Sequence, residues 1–160
     1  MFKKKHTVLV AGGAGFIGSH MVSLLLAKGY DVIVLDNLST GHQDAIRGGT
    51  LVMGDLSDTA LLESIFQQHD IVAVLHFAAS LRVGESVVFP EKYYDNNVVN
   101  TLNLLSVMRE YRVKHFIFSS SAAVYGEPRY LPIDEKHEKS PVNPYGRTKW
   151  IVALIGSLPS

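Results

Sequence analysis

The residues best suited to move a proton are Tyr145 and Lys149, four apart behind Asn143-Pro144. Asn143 suits an N-cap and Pro144 a first helical position, so phenol and ammonium fall on one helix face, one turn apart. A phenol titrates near 10, so a tyrosine base at neutral pH must fall by about 3 pH units, on the order of 4 kcal/mol. A nearby ammonium and the positive end of a helix push that way, and desolvation opposes it, so the cation is needed. On spacing alone, a surface tyrosine and lysine on an ordinary helix remain an equal reading. Ser119-Ser120-Ser121 closes an apolar run, where a hydroxyl either orients a substrate oxygen or only caps a strand end.

A second constellation lies at the other end of the chain. Thr7-Val8-Leu9-Val10-Ala11 reads as a strand, followed by Gly12-Gly13-Ala14-Gly15-Phe16-Ile17-Gly18 and a helix. Gly13, Gly15 and Gly18 fit G-x-G-x-x-G, and Gly12, Gly15 and Gly18 fit G-x-x-G-x-x-G. Such a turn lets backbone approach a pyrophosphate while the helix aims free N–H groups and its positive end at the charge. The motif gains weight from its context, a strand before it and the strand 31–35 with Asp36 after it. A carboxylate there can accept both ribose hydroxyls of an adenosine and would repel a 2′-phosphate, favouring NAD over NADP. The loop Asn37-Leu38-Ser39-Thr40-Gly41 either adds contacts or is only a loop.

These residues need strands and helices in alternation. Phe16, Ile17, Met21, Leu24, Leu25 and Lys28 mark the apolar spacing of the first helix, with Gly29 as its C-cap. Residues 50–53 suit a third strand, 58–68 a helix capped by Ser57 or Asp58, and 71–77 a fourth strand. Ala78-Ala79-Ser80 then let a ligand lie near the backbone, and Gly84-Glu85-Ser86 reads as a loop in which Glu85 serves a turn. Residues 90–112 read as one long helix begun by Pro90, with Val98, Leu102, Leu105 and Met108 on its apolar face. Residues 114–119 give a fifth strand. The alternation predicts an α/β fold: a Rossmann-type, doubly wound parallel sheet of order 3-2-1-4-5, with its ligand crevice at the carboxyl ends.

Composition narrows the function classes. The 160 residues are enough for one domain with a core, 47% are hydrophobic, and the formal net charge is zero. The zero net charge points to no nucleic-acid or anionic-membrane partner, the one basic run, Lys3-Lys4-Lys5, reads as a solvated tail, and no window has the roughly 20 apolar residues of a membrane span. There is no cysteine, hence no disulfide or thiolate chemistry. The N-terminus lacks a signal-type apolar core, which makes the cytoplasm the expected location. The seven histidines show no metal-ligand spacing, and His76 reads as a core histidine, so no metal is expected.

Taken together, the motifs resemble the extended short-chain dehydrogenase/reductase family, and within it the UDP-sugar 4-epimerases. The match runs from Thr7 to about Trp150. It includes the glycine turn through Ser19-His20, Leu35-Asp36-Asn37-Leu38-Ser39, Gly54-Asp55-Leu56, His76-Phe77-Ala78-Ala79, Val83-Gly84-Glu85-Ser86, Tyr93-Tyr94-Asp95-Asn96-Asn97, Phe118 to Gly126 and Tyr145-x-x-x-Lys149. The resemblance implies that Phe16 and Ile17 lie along the pyrophosphate, Asp36 and Asn37 hold the adenosine ribose, and Asp55 and Leu56 flank the adenine. It implies further that Phe77, Ala78 and Ala79 line the cofactor with Asn96 nearby. Ser121, Tyr145 and Lys149 would be catalytic: Tyr145 takes the proton of the sugar 4-hydroxyl while C4 gives hydride to NAD and later takes it back on the other face. Lys149 would hold the nicotinamide ribose and favour the phenolate, and Ser121 would orient the 4-oxygen. The implied substrates are UDP-glucose and UDP-galactose. Related dehydratases carry an acid just after the position of Ser121, where this chain has Ala122-Ala123, so elimination of water is disfavoured.

The family's chains are about twice as long, and their substrate domain follows the tyrosine helix. Residues 1–160 are therefore expected to be the NAD-binding Rossmann domain, incomplete at its C-terminus, with the substrate domain absent and the fifth strand an exposed edge. Beyond Lys149 the apolar run 150–155 lacks the acid expected on that helix and reads as a broken or frameshifted end. A homodimer through the helices 90–112 and 144–156 is the other implied partner.

Overall fold

The computed structural model describes residues 6–156, which form two compact units. Within the described residues, one holds 6–78 with Asn103–Ser119, and the other holds Ala79–Leu102 with 120–156.

The first unit is built on five parallel strands, β1 (Thr7–Ala11), β2 (Asp31–Asp36), β3 (Thr50–Met53), β4 (Ile71–His76) and β5 (His115–Phe118), in the order β3-β2-β1-β4-β5. This is the expected order. Alternation along the strands supplies two cores. Val8, Val10, Val32, Val34 and Leu75 pack with Val22 of α1 (Phe16–Ala27). Leu9, Ala11, Ile33, Leu35 and Val74 pack on the other face with Leu62, Ile65 and Phe66 of α2 (Thr59–Gln68) and with Leu104, Val107 and Met108. Asp58 caps α2 by accepting from Leu61 N–H at 2.9 Å. Gly29, at φ +86°, closes α1: its N–H reaches Leu26 O, and Tyr30 N–H reaches Leu25 O. In this sheet β5 is an outer strand, with His115 and Ile117 exposed.

The buried face of α1 differs from the expected one. Met21 and Leu25 pack on the sheet core as expected, but Phe16 is 82% exposed and Ile17 and Leu24 are also exposed, while Gly18, Ser19 and Val22 are buried. Small side chains let this helix lie close to the glycine turn, so close approach rather than bulk chooses the face.

The second unit is helical: α3 (Val83–Val88), α4 (Pro90–Tyr94), a π-helical turn (Asp95–Val99), the start of α5 (Asn100–Glu110), a 3₁₀ turn (Ala122–Tyr125) and α6 (Pro144–Gly156). Two expectations change here. Gly84-Glu85-Ser86 lies in a helix, not a loop. The expected long helix is continuous from Pro90 to Glu110 but contains the π turn, and it is buried at Tyr93, Asn97, Thr101, Leu104, Val107 and Met108, whereas Leu102 is 43% exposed. Asn97 and Thr101 are polar, so apolar spacing alone places the first half of the stripe one residue off, at Val98 and Leu102, while Leu105 and Met108 pack on the core as expected.

Candidate active site

In the sheet unit, the carboxyl ends of the strands carry Gly12, Asp36, Gly54-Asp55, Phe77-Ala78 and Ser119, and the strand order reverses between β1 and β4. Gly12 has φ +79°, and a Cβ on it would lie 2.4 Å from Ala78 N. A Cβ on Gly18 would lie 2.2 Å from Gly12 O. These two glycines are required by the protein's own packing. Gly15 is different: its φ is −77°, and an added Cβ meets nothing nearer than Gly12 O at 3.4 Å. It also forms the N-cap of α1, an end with no side-chain cap and no acidic residue in its first turn. A helix start with free N–H groups beside an open glycine fits a pyrophosphate.

Asp36, buried at 9% exposure, accepts from Ala14 N–H at 2.8 Å through Oδ2 and from Leu38 N–H at 2.9 Å through Oδ1. It therefore ties the glycine turn to the next loop and keeps further lone pairs. Asn37 donates through Nδ2 to Asp55 at 2.6 Å and accepts from Ser39 N–H at 3.0 Å. Burial raises the Asp55 pKa, but the hydrogen bonds from Ser57 N–H, Asn37 and the Ser57 hydroxyl outweigh it, and the net shift is downward. The 37–41 loop rims the turn, since His42 N–H donates to Ala14 O and a Cβ on Gly41 would meet Ala14 at 2.8 Å. Ser39 and Thr40 are exposed on this loop. Leu56 is a core residue, and its carbonyl accepts from Asn103 Nδ2 at 3.3 Å. Phe77 and Ala78 donate their N–H groups to Ala11 O.

In the helical unit, α6 starts as its sequence requires. Asn143 Oδ1 accepts from Gly146 N–H at 2.8 Å, and Pro144 is the first helical residue. Tyr145 is half-buried, and Lys149, one turn on, is 4% exposed. Burial lowers the Lys149 pKa to about 8. Ser121 caps the 3₁₀ turn, with Oγ accepting from Ala123 N–H at 3.2 Å. That turn packs on α6, and a Cβ on Gly146 would lie 2.5 Å from Ala123 O. This unit thus gathers Ser121, Tyr145 and Lys149 around α6.

Sequence reasoning missed the residues that hold this group together. Asn97 Oδ1 accepts from Ser80 N–H (2.8 Å) and Asn96 Nδ2 (2.9 Å), while its Nδ2 donates to Ser80 O (3.0 Å) and Thr148 Oγ1 (3.1 Å). Thr148 in turn donates to Tyr145 O at 2.7 Å. The available signal was polar residues at every fourth position of a helix otherwise rich in apolar ones. Among the described residues, no group of histidines and carboxylates suits a metal ion.

A sequence model for the family described as "GDP-mannose 4,6 dehydratase" matches residues 9–157. The chain belongs to that family. Relatives similar to it include the UDP-glucose 4-epimerase of Rhizobium meliloti (strain 1021), 49% identical over 92% of this chain and 45% of the relative. Another is the UDP-glucose 4-epimerase of Halalkalibacterium halodurans, 54% identical over 89% of this chain and 42% of the relative. Among solved structures, the chain resembles UDP-glucose 4-epimerase from Brucella ovis in complex with NAD, with TM-score 0.91 and 54% identity over 94% of this chain and 46% of that one. It also resembles the Bifidobacterium longum enzyme in complex with NAD+ and UDP, with TM-score 0.89 and 46% identity over 94% of this chain and 48% of that one. The chain spans about half the length of the curated relatives it matches. No helix among the described residues is long and apolar enough to cross a membrane.

Proposed function

We propose that this chain carries the NAD-binding and proton-transferring residues of a UDP-glucose 4-epimerase, acting on UDP-glucose and UDP-galactose at C4. The observation that carries this reading is Lys149, buried one turn from Tyr145 on a helix whose start is fully capped. Tyr145 takes the proton of the sugar 4-hydroxyl and later returns it. A pKa of about 8 leaves Lys149 largely cationic at neutral pH, and an ammonium favours negative charge on a nearby phenol as the proton leaves. Ser121 directs its hydroxyl to the 4-oxygen. NAD, when bound, supplies the reversible hydride acceptor that side chains lack.

For the cofactor, the first turn of α1 at Gly15, Phe16 and Ile17 takes the pyrophosphate. Asp36 and Asn37 take the ribose, with Leu38 to Gly41 as rim, Asp55 and Leu56 take the adenine, and Phe77, Ala78, Ala79 and Asn96 the remainder. Ala122 and Ala123 offer no proton donor for eliminating water, which favours epimerisation over the dehydration in the family's description. A second reading, NAD binding without turnover by this chain alone, is favoured by its span of 45% of the Rhizobium meliloti relative. Location in the cytoplasm, a single cofactor domain and pairing of two copies through the helices 90–112 and 144–156 belong to the same proposal. Exposed Val99, Leu102 and Leu154 support the pairing.

A hybrid tests the chemistry: residues 6–156 replace the matching segment of the Rhizobium meliloti relative. It should interconvert UDP-galactose and UDP-glucose, and Tyr145→Phe should slow it by about 10²–10⁴-fold with NAD still bound. Unchanged turnover would remove Tyr145 from its role. The 160-residue chain alone should bind NAD weakly and turn over little, and a rate like that of a full-length relative would end the second reading.

A further inference from the structure

We infer that α3 and α4 together form a bracket for Tyr145: Ser86 of α3 fixes its backbone, and Tyr93 of α4, held by Glu85 of α3, fixes its ring. These are positioning residues, and their importance to chemistry rests on the role proposed for Tyr145.

Tyr145 is the second residue of α6, where a backbone N–H has no partner within its own helix. Its donor goes to Ser86 Oγ at 3.2 Å. Ser86 is fully buried and gives its only proton to Val83 O at 2.6 Å, so its lone pairs are left to face Tyr145. The ring of Tyr145 meets Tyr93 edge-on, with centroids 6.4 Å apart and planes at 83°, a favoured aromatic geometry. Tyr93 is itself anchored. It is fully buried, and its hydroxyl lies 2.7 Å from both Arg82 O and Glu85 Oε2. The other Glu85 oxygen accepts from Lys92 Nζ at 2.7 Å, which anchors α3 to α4.

The phenol of Tyr93 is thus kept out of proton exchange. Burial, then the hydrogen bond to Glu85, pushes Tyr93 up to about 12, so it stays protonated. The Glu85 carboxyl lies below its usual range because Lys92 and Tyr93 donate to it. Tyr93 contributes shape and takes no part in proton exchange at neutral pH. This accounts for a six-residue helix made of Val-Gly-Glu-Ser-Val-Val, a composition with little helical preference of its own.

The test is NMR of the 160-residue chain with ring-labelled tyrosine, the Tyr145 signal being assigned by its loss in Tyr145→Phe. Tyr93→Leu should speed Tyr145 ring flips about threefold to tenfold. Tyr111, whose ring packs 5.6 Å from Phe66, should keep its flip rate, which separates a bracket from general loosening. Tyr93→Phe retains the ring edge and should restore most of the parent rate. Parent-like flips of Tyr145 in folded Tyr93→Leu would overturn the inference, as would equal acceleration of Tyr111. If Tyr93→Leu does not fold, Ser86→Ala decides. Faster solvent exchange of the Tyr145 amide supports the bracket, and parent-like exchange refutes it. No cofactor or substrate enters these measurements, so their failure leaves the chemistry assigned to Tyr145 untouched. An inert Tyr145→Phe substitution in the hybrid would end that assignment and leave the bracket standing.

Discussion

Replacing Gly15 by alanine should weaken NAD binding while leaving the fold nearly intact, and the same change at Gly18 should do the reverse to stability. The new methyl at Gly15 meets only Gly12 O at 3.4 Å, and φ −77° suits any residue. Its cost is confined to a poorer N-cap, below about 1 kcal/mol. At Gly18 the methyl would fall 2.2 Å from Gly12 O and 2.8 Å from Gly13 Cα. Both are backbone atoms that cannot rotate aside, so a loss of about 3 kcal/mol is expected. For a chain of this size that difference is readable as a fall of about 10 °C against one of a few degrees. Calorimetric titration with NAD completes the comparison, with at least about a tenfold loss for Gly15→Ala, equivalent to about 1.4 kcal/mol. Two outcomes would refute the reasoning. Parent-like NAD affinity in Gly15→Ala would mean that no pyrophosphate approaches this turn. A stability loss equal to that of Gly18→Ala would mean that Gly15 serves packing alone.

Lys149 gives a pH signature. Its folded pKa of about 8 lies below the ordinary 10.5, so between the two values the unfolded chain holds a proton that the folded chain has released. This contribution makes stability rise with pH across that window, by on the order of 3 kcal/mol, while below pH 8 the full cost of the buried charge is borne. Urea titrations of the parent and Lys149→Met should diverge there, and parallel curves would count against the burial argument. Asn143→Ala removes the cap received by Gly146 N–H and should cost about 1 kcal/mol by urea midpoint. Leu102→Glu places a charge on an exposed apolar position and should convert any dimer to monomer in light scattering, with the fold unchanged by circular dichroism.

The sheet order was legible because each strand is a short apolar run followed by a glycine, an acid or small residues, and parallel connectivity leaves few arrangements. Asn143 and Pro144 announced α6 for equally local reasons. What stayed hidden depended on partners distant in sequence. Ser86 is buried because it meets Tyr145, a residue 59 positions away. Asn97 and Thr101 occupy inward positions because Ser80, Thr148 and the Asn97 carbonyl answer their polar atoms. Gly18 and Ser19, rather than Phe16 and Ile17, face inward on α1 because the backbone behind them leaves no room for more. The candidate site divides the same way: its chemical groups are readable as motifs, and the hydrogen bonds that aim them are not.

The Asp36 carboxylate has a consequence for how such a chain can evolve. Both of its oxygens already serve backbone donors, Ala14 N–H and Leu38 N–H, on either side of the turn. A mutation to a cationic side chain would strand both donors, and one to an amide would strand one of them, before any new ligand arrived. If Asp36 holds the ribose as proposed, cofactor preference is tied to the architecture of the turn. Changing it requires the 37–41 loop to be rebuilt in the same step, which makes single-substitution drift between the two dinucleotides a path with a deep valley in it.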